Sequence, residues 1–324
     1  MKLEALEMSI YDLENCLELS MAAFSSKSTP PYNVRSVSFP ARSHPSLAKL
    51  EQKLNKISSW QVPTPLKAGT VLGRLSSLGE IYKSIEDLLN LPMTQQALLQ
   101  HQNEKLVDDM LDGLMRYLDI CGKTRDAALL MNESIRELQS ALRRSKAGGE
   151  LSIQSNVNAY FCARKKMKKE VAKSLASLKK ADNIFEGSLL LNPSDHFLSA
   201  TVRVLSEASL ITVSIFTSLL LFLSVPMMKP RPSKWYLVSK LVHKGVLTCE
   251  GQQENLNELE SVDAALANLV VPISGKDFEA REIHSAQQRL EILHASIEEV
   301  ENQLDSLFRH FIHARVSLLN ILSQ

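Results

Sequence analysis

The sequence predicts an all-α protein, an antiparallel bundle of long helices with a long C-terminal heptad helix. Apolar residues recur at intervals of seven from residue 283 onwards, and another apolar residue follows three positions after each of them. Residues 107–142 contain a second unbroken repeat with spacings of three and four. Eleven glycines and twelve prolines are few for 324 residues, and strand-like alternation is scarce. Two long seams in one chain favour antiparallel packing within the chain over an open coiled coil.

The C-terminal repeat predicts one continuous helix over residues 277–324, because no proline or glycine follows Gly275. At ~1.5 Å per residue its length is about 70 Å. A seam of this length cannot face water, so neighbouring helices must bury it. Its twelve core positions are Ile283, Ala286, Leu290, Leu293, Ile297, Val300, Leu304, Leu307, Phe311, Ala314, Leu318 and Ile321. Four further residues widen the stripe near its end and indicate several neighbours there: Phe308, Ile312, Leu319 and Leu322.

The chain divides into three predicted regions. Residues 1–24 could form an extra amphipathic helix, packed on the bundle or appended to it, because five apolar residues recur at helical spacing: Leu3, Leu6, Ile10, Leu13 and Leu17. Residues 25–43 predict an irregular arm rich in serine and proline. Residues 44–324 predict the bundle domain. Its helices are expected at about 46–60, 69–91, 94 or 104 to 145, 151–186, 233–247, 253–269 and 277–324, with another that ends at Val225.

The cysteine content indicates the cellular compartment, whereas the net charge does not indicate a class of binding partner. The chain has 37 basic and 36 acidic residues, so its net charge indicates no class of partner. Widely spaced cysteines without a CxxC pair are typical of a reducing compartment, without disulfides or a zinc cluster. Acidic residues among the N-terminal leucines argue against an export signal. We therefore expect a cytoplasmic protein and leave an association with membranes open.

Two terminal motifs carry a family resemblance. Residues 32–45 read YNVRSVSFPARSHP, and residues 307–322 read LFRHFIHARVSLLNIL. With residues 134–144 and the apolar segment before Pro226, they resemble the plant-specific BYPASS-like family, which is defined by a domain of unknown function. The resemblance extends from about Ser25 to the end. It implies a helical plant protein that acts in root and shoot development without known catalysis, and it supplies no catalytic or binding residue.

We expect no catalytic, metal or cofactor site. The sequence contains no GxGxxG, GxxxxGK[ST], GxSxG or HExxH motif. His310 and His313 could place two imidazoles near one metal ion. They flank the C-terminal seam from different sides, however, and no carboxylate lies within a turn of them in the sequence.

The predicted helix at 151–186 is strongly basic, with eight basic residues and one acid between Arg164 and Lys180. It could present a solvated or acid-paired face, bind anionic lipid, or bind nucleic-acid phosphates. Lysines predominate and no DNA-reading motif surrounds them, which disfavours nucleic acid. The candidate contacts are Arg164, Lys165, Lys166, Lys168, Lys169 and Lys173.

The uncharged run at 208–228 is long enough to cross a bilayer. Basic residues follow it and would keep its C-terminal side in the cytosol. Six hydroxyl side chains within the run argue against a span, and a bundle with several long seams needs a central apolar helix. The sequence is therefore compatible with two interpretations of residues 208–228, a buried core helix and a membrane span.

A short motif in the arm suggests regulation. Arg35, Ser36, Ser38 and Pro40 match R-S-x-S-x-P, the pattern that 14-3-3 proteins bind when the second serine is phosphorylated. Alternatively, the apolar residues between them attach the arm to the bundle.

The favoured function is therefore that of a non-enzymatic plant regulatory or scaffolding protein with protein partners, which could include a 14-3-3 protein. The alternative is a helical protein held in a membrane by residues 208–228.

Overall fold

The computed structural model describes residues 44–59, 66–99, 104–145, 151–179, 196–225, 256–269 and 276–323. These residues form eight helices and no strand, which confirms the all-α prediction. The helices are α1 (Pro45–Ser58), α2 (Ala68–Leu89), α3 (Pro92–Leu98), α4 (Glu104–Ser145), α5 (Leu151–Lys179), α6 (His196–Ser224), α7 (Glu258–Leu269) and α8 (Lys276–Leu322). The predicted extra helix at 1–24, the arm at 25–43 and the helix at 233–247 lie outside the described residues.

Proline and polar caps set several helix ends near the predicted positions. His44 caps α1, because its Nδ1 atom accepts a hydrogen bond from the Ser46 backbone N–H at 3.3 Å. Pro92 follows the end of α2 and occupies the first turn of α3, where a missing N–H costs nothing. The short helix α3 is thus a separate element and not the start of α4.

α8 is the longest helix and packs against α2, α4 and α7. All twelve of its predicted core positions are buried, as the heptad requires. α8 runs antiparallel to α4: Arg125 Nη1 lies 2.9 Å from Asp305 Oδ1, and Asn132 donates to Glu301 at 3.2 Å. It runs parallel to α2, since Glu86 approaches His313 and Asn90 accepts a hydrogen bond from Ser317 further along both helices.

α6 occupies the centre of the described bundle, with α1, α2, α3 and α5 packed around it. Residues 215–220 of this helix are buried without exception. Phe216 joins an aromatic cluster around Phe311 of α8, together with Tyr82 of α2 and Tyr117 of α4. The ring centroids of these three residues lie 4.6–6.2 Å from that of Phe311. Four helices therefore share one core.

Candidate functional site

Four exposed lysines of α5 form a basic face that we call the lysine surface: Lys165, Lys166, Lys169 and Lys173. At about 100° per residue, they fall within an arc of about 100° around the helix. Lys168 is half-buried beside this arc. Lys173 donates a hydrogen bond to Glu170 at 2.7 Å, and the two side chains are 57% and 41% exposed. The fold thus brings five of the six predicted basic contacts to one side of α5.

Arg164 is the exception, because its side chain is 0% exposed. It shares the core-facing side of α5 with Tyr160 and Met167, at spacings of four and three residues. The prediction that Arg164 contacts an anionic surface is therefore wrong. The helical spacing that buries the apolar face of α5 also buries this cation.

Arg164 belongs to a buried polar cluster with Tyr160 and Asp263. Its Nη2 atom donates to Asp263 Oδ2 at 3.1 Å, and the Tyr160 hydroxyl donates to Asp263 Oδ1 at 3.0 Å. Arg164 Nη1 also donates to the Leu223 carbonyl at 3.2 Å, and Nη2 donates to the Val225 carbonyl at 3.3 Å. The guanidinium therefore satisfies carbonyls at the C-terminal end of α6, where a cation is favourable. One cluster connects α5, α6 and α7.

Two sets of hydrogen bonds position α7 so that Asp263 contacts Arg164. Asn257 and Glu260 form a reciprocal cap at the start of α7, with each side chain accepting the other's backbone N–H at 2.9–3.0 Å. Arg289 of α8 donates to the hydroxyl and the carbonyl of Ser261 at 2.8 and 3.1 Å. These contacts fix the rotation of α7 on α8 and direct Asp263 into the core.

Burial dominates the electrostatics of the polar cluster. Burial raises the pKa of the Asp263 carboxyl, and the Arg164 guanidinium and the Tyr160 hydroxyl oppose this rise. Burial also raises the pKa of the Tyr160 hydroxyl, and the neighbouring Asp263 carboxylate reinforces that rise. The side chains of the ion pair are both 0% exposed, so the cluster offers no surface to a substrate. Its geometry suits a structural connection between helices.

His310 and His313 of α8 lie beside α2, which supplies a carboxylate that the sequence did not predict. His313 Nδ1 lies 3.5 Å from Glu86 Oε1 of α2. His310 is half-buried beside α2, and burial lowers the pKa of its imidazole. Within the described ranges, no group of three or more His, Cys, Asp and Glu residues could hold a metal ion.

Five hydroxyl side chains of α6 are hydrogen-bonded within the bundle: Ser209, Thr212, Thr217, Ser218 and Ser224. The buried Thr201 hydroxyl has no partner among the described residues. Thr212 pairs with the Tyr82 hydroxyl at 3.1 Å, and Ser209 pairs with the Tyr117 hydroxyl at 2.6 Å. Ser218 accepts a hydrogen bond from Arg74 at 3.0 Å. By length and composition, His196–Ser224 is the one described helix that could cross a membrane, and 61% of its most apolar window is buried in the bundle.

Comparison with known protein families shows which family the chain is related to. A family model described as Protein BPS1 matches residues 74–321. The chain belongs to the BPS1 family. Membership confirms the resemblance to the BYPASS-like plant family and suggests a plant regulatory protein with a developmental role. No curated protein and no solved structure matches the chain.

The BPS1 match includes the lysine surface, the polar cluster and all of α6, and it begins within α2. The candidate 14-3-3 motif at Arg35, Ser36, Ser38 and Pro40 precedes the match and lies outside the described residues, so it stays a prediction.

Proposed function

We propose that this BPS1-family protein is a non-enzymatic regulatory scaffold that binds anionic membrane surfaces through the lysine surface of α5. The observation that carries the proposal is the exposure of Lys165, Lys166, Lys169 and Lys173 on one side of a helix whose other side is buried in the bundle.

The chemistry of the surface favours lipid headgroups. Lysine ammonium groups are flexible point charges, which suit a mobile layer of headgroups better than the bidentate recognition typical of arginine. The four lysines span nine residues, about 12 Å along the helix, so one flat membrane surface could meet them all. Each lysine near an anionic leaflet contributes about 1 kcal/mol, so four together support peripheral binding.

The packing of α5 supports a rigid presentation of these charges. Residues Val157, Tyr160, Met167 and Val171 are each at most 1% exposed and face α4 and α6. Arg164 adds hydrogen bonds from the same side to α6 and α7. Because the helix cannot rotate without breaking these contacts, the lysines stay directed outward.

Two observations favour a binding function over catalysis. Burial raises the pKa of the Tyr160 hydroxyl in the polar cluster, but this cluster is closed to solvent. A small apolar pocket of about 40 Å³ in the described part of the chain, beside Tyr117 and Leu205, contains no pair of acid and base side chains. A catalytic site needs such groups within reach of a substrate.

The test is co-sedimentation with liposomes that contain phosphatidylserine, compared with neutral phosphatidylcholine liposomes. The parent protein should bind the anionic liposomes, and binding should weaken as salt rises. Changing Lys165, Lys166, Lys169 and Lys173 to Gln should reduce the affinity by roughly two to three orders of magnitude, at about 1 kcal/mol per lysine with a discount for the paired Lys173.

A matched control removes the same charge elsewhere. The control uses four of the exposed lysines of α1, α2 and α4, and their replacement by Gln should leave liposome binding nearly unchanged: Lys49, Lys56, Lys83 and Lys105. Equal losses in both variants would show a net-charge effect without a site. Equal binding of the parent to anionic and neutral liposomes would contradict the proposal.

A further inference from the structure

The outer side of α8 carries an exposed apolar stripe near its C-terminal end. Ile312 and Leu319 are each 39% exposed, and Val316 is 47% exposed. Their spacing of four and three residues places them on one face of the helix, away from the buried seam. Phe308 and Leu322, which is also 39% exposed, border this face. We call these five residues the apolar stripe.

The apolar stripe has cationic edges. At about 100° per residue, Arg309 and Arg315 lie about 60° to either side of Ile312. The Arg309 side chain is 74% exposed and has a weak contact of 3.8 Å with Asp305. The Nε atom of Arg315 is buried and has no hydrogen-bond partner among the described residues. A segment that fits the stripe should therefore be apolar along one side and acidic beside it.

Hydrogen bonds show where the N-terminal part of the chain enters the bundle. α2 and α6 are antiparallel, since Arg74 meets Ser218 and Tyr82 meets Thr212. α1 is parallel to α6, since Glu51 meets Arg203 and Ser58 meets Glu207 further along both helices.

α1 is therefore antiparallel to α2, and its first residue, Pro45, lies towards the C-terminal end of α2. Asn90 at that end bonds to Ser317 of α8 at 3.3 Å. The chain before residue 44 thus meets the bundle at the end that carries the apolar stripe.

The sequence of residues 3–17 is complementary to the stripe. Five apolar residues recur at helical spacing, with acidic residues Glu4, Glu7, Asp12 and Glu14 between them. Residues 25–43 between this segment and the bundle could extend to about 60 Å, at ~3.3 Å per residue, which is more than enough to reach α8. Apolar pattern, charge and position all point to the same occupant.

We propose that residues 3–17 dock on the apolar stripe of their own chain as an amphipathic helix, with their carboxylates directed at Arg309 and Arg315. This contact buries both apolar surfaces and makes the outer side of α8 a covered surface in the full chain. It does not depend on the lysine surface.

The test places a photoreactive benzoylphenylalanine at Val316 of the full chain, followed by irradiation and mass spectrometry of the cross-linked peptides. A monomeric product cross-linked to a peptide within residues 3–17 is expected. The same probe at Ile292, which is 59% exposed but about 36 Å away along α8, should not capture this segment.

Two single substitutions in the probe-bearing chain sharpen the result. Ile10→Asp puts a charge into the proposed contact and should lower the cross-link yield about tenfold. Asn15→Asp adds the same charge on the opposite side of the helix and should leave the yield unchanged. A cross-link to another segment, a dimeric product or no cross-link would each overturn the proposal, as would equal yields from the two substituted chains.

Discussion

The ion pair of Arg164 and Asp263 connects three helices from a position without solvent. A buried pair contributes little net stability compared with apolar residues of the same volume, because both charges lose their hydration. Removing one partner is different, because the other charge then stays buried without compensation. The pair therefore acts as a constraint on helix placement, since Arg164 must meet Asp263 and the end of α6 at the same time.

The first prediction compares the removal of one partner of the ion pair with the replacement of both. Asp263→Asn should lower the free energy of unfolding by about 3–5 kcal/mol, because the guanidinium loses its counter-ion. The double variant Arg164→Met with Asp263→Leu should recover much of the loss, short of the parent because the Leu223 and Val225 carbonyls lose their donor. Urea denaturation followed by circular dichroism measures both. A parent-like midpoint for Asp263→Asn would refute the predicted penalty.

The free energy of unfolding should depend on pH through His310, and the environment of this residue determines the direction of the dependence. Its Nδ1 atom is buried without a hydrogen-bond partner in the described structure, and burial lowers the pKa of the imidazole. Glu86 and Glu80 of α2 oppose the shift, and His313 and Lys83 add to it. As pH falls through the unfolded value of about 6.5, the unfolded chain gains a proton before the folded chain does. This group therefore lowers stability as pH falls.

The second prediction is that His310→Gln reduces the loss of stability as pH falls. The urea midpoints of parent and variant are compared at pH 7.5 and pH 5.5. The parent should lose more stability than the variant over this interval, because the contribution of His310 is absent from the variant. Parallel losses would mean that His310 does not titrate differently in the folded and unfolded states.

At the scale of one element, α8 is the helix on which α2, α4 and α7 pack. It buries its seam against α2, α4 and α7, and Leu304 lies at 0% exposure where Cys121 of α4 contacts its carbonyl at 3.1 Å. A seam formed by apolar side chains tolerates no unpaired charge, because no water or counter-ion reaches it.

The third prediction compares two substitutions of the same kind in α8. Leu304→Asp should cost more than 4 kcal/mol, of the order of the whole stability of a domain, and should abolish cooperative unfolding. Ile292→Asp, at a position 59% exposed, should change stability by about 0.5 kcal/mol or less. Thermal melts by circular dichroism distinguish them. If both variants melt alike, the seam does not hold the bundle.

Helix periodicity predicted the elements well, because each long helix has one continuous buried face. The heptad in α8 specified its twelve buried positions, and prolines marked the ends of α1 and α2. The same periodicity could have placed Arg164 in the core, since it lies four residues after Tyr160 and three before Met167. Its partner Asp263 could not be predicted, because helix order in space decides which residues meet across 99 positions of sequence.

For the whole molecule, the central question is whether α6 is the core of a bundle or the anchor of a membrane protein. Its length and hydropathy permit both. Its bonding favours the core, because Tyr82, Tyr117 and Arg164 direct polar atoms at it from α2, α4 and α5. Moving α6 into lipid would leave these groups without partners and would expose the apolar faces that now pack on it.

The fourth prediction is that the protein leaves membranes on extraction with alkaline sodium carbonate, which removes proteins held by surface charge and retains those that span the bilayer. The parent should associate with anionic membranes at low salt and move to the supernatant in carbonate, since its contact is electrostatic. The variant with glutamine at Lys165, Lys166, Lys169 and Lys173 should be in the supernatant before carbonate is added. If both proteins stay in the membrane pellet through the carbonate step, α6 spans the bilayer, and the bonded core around it is not the state of the protein in the cell.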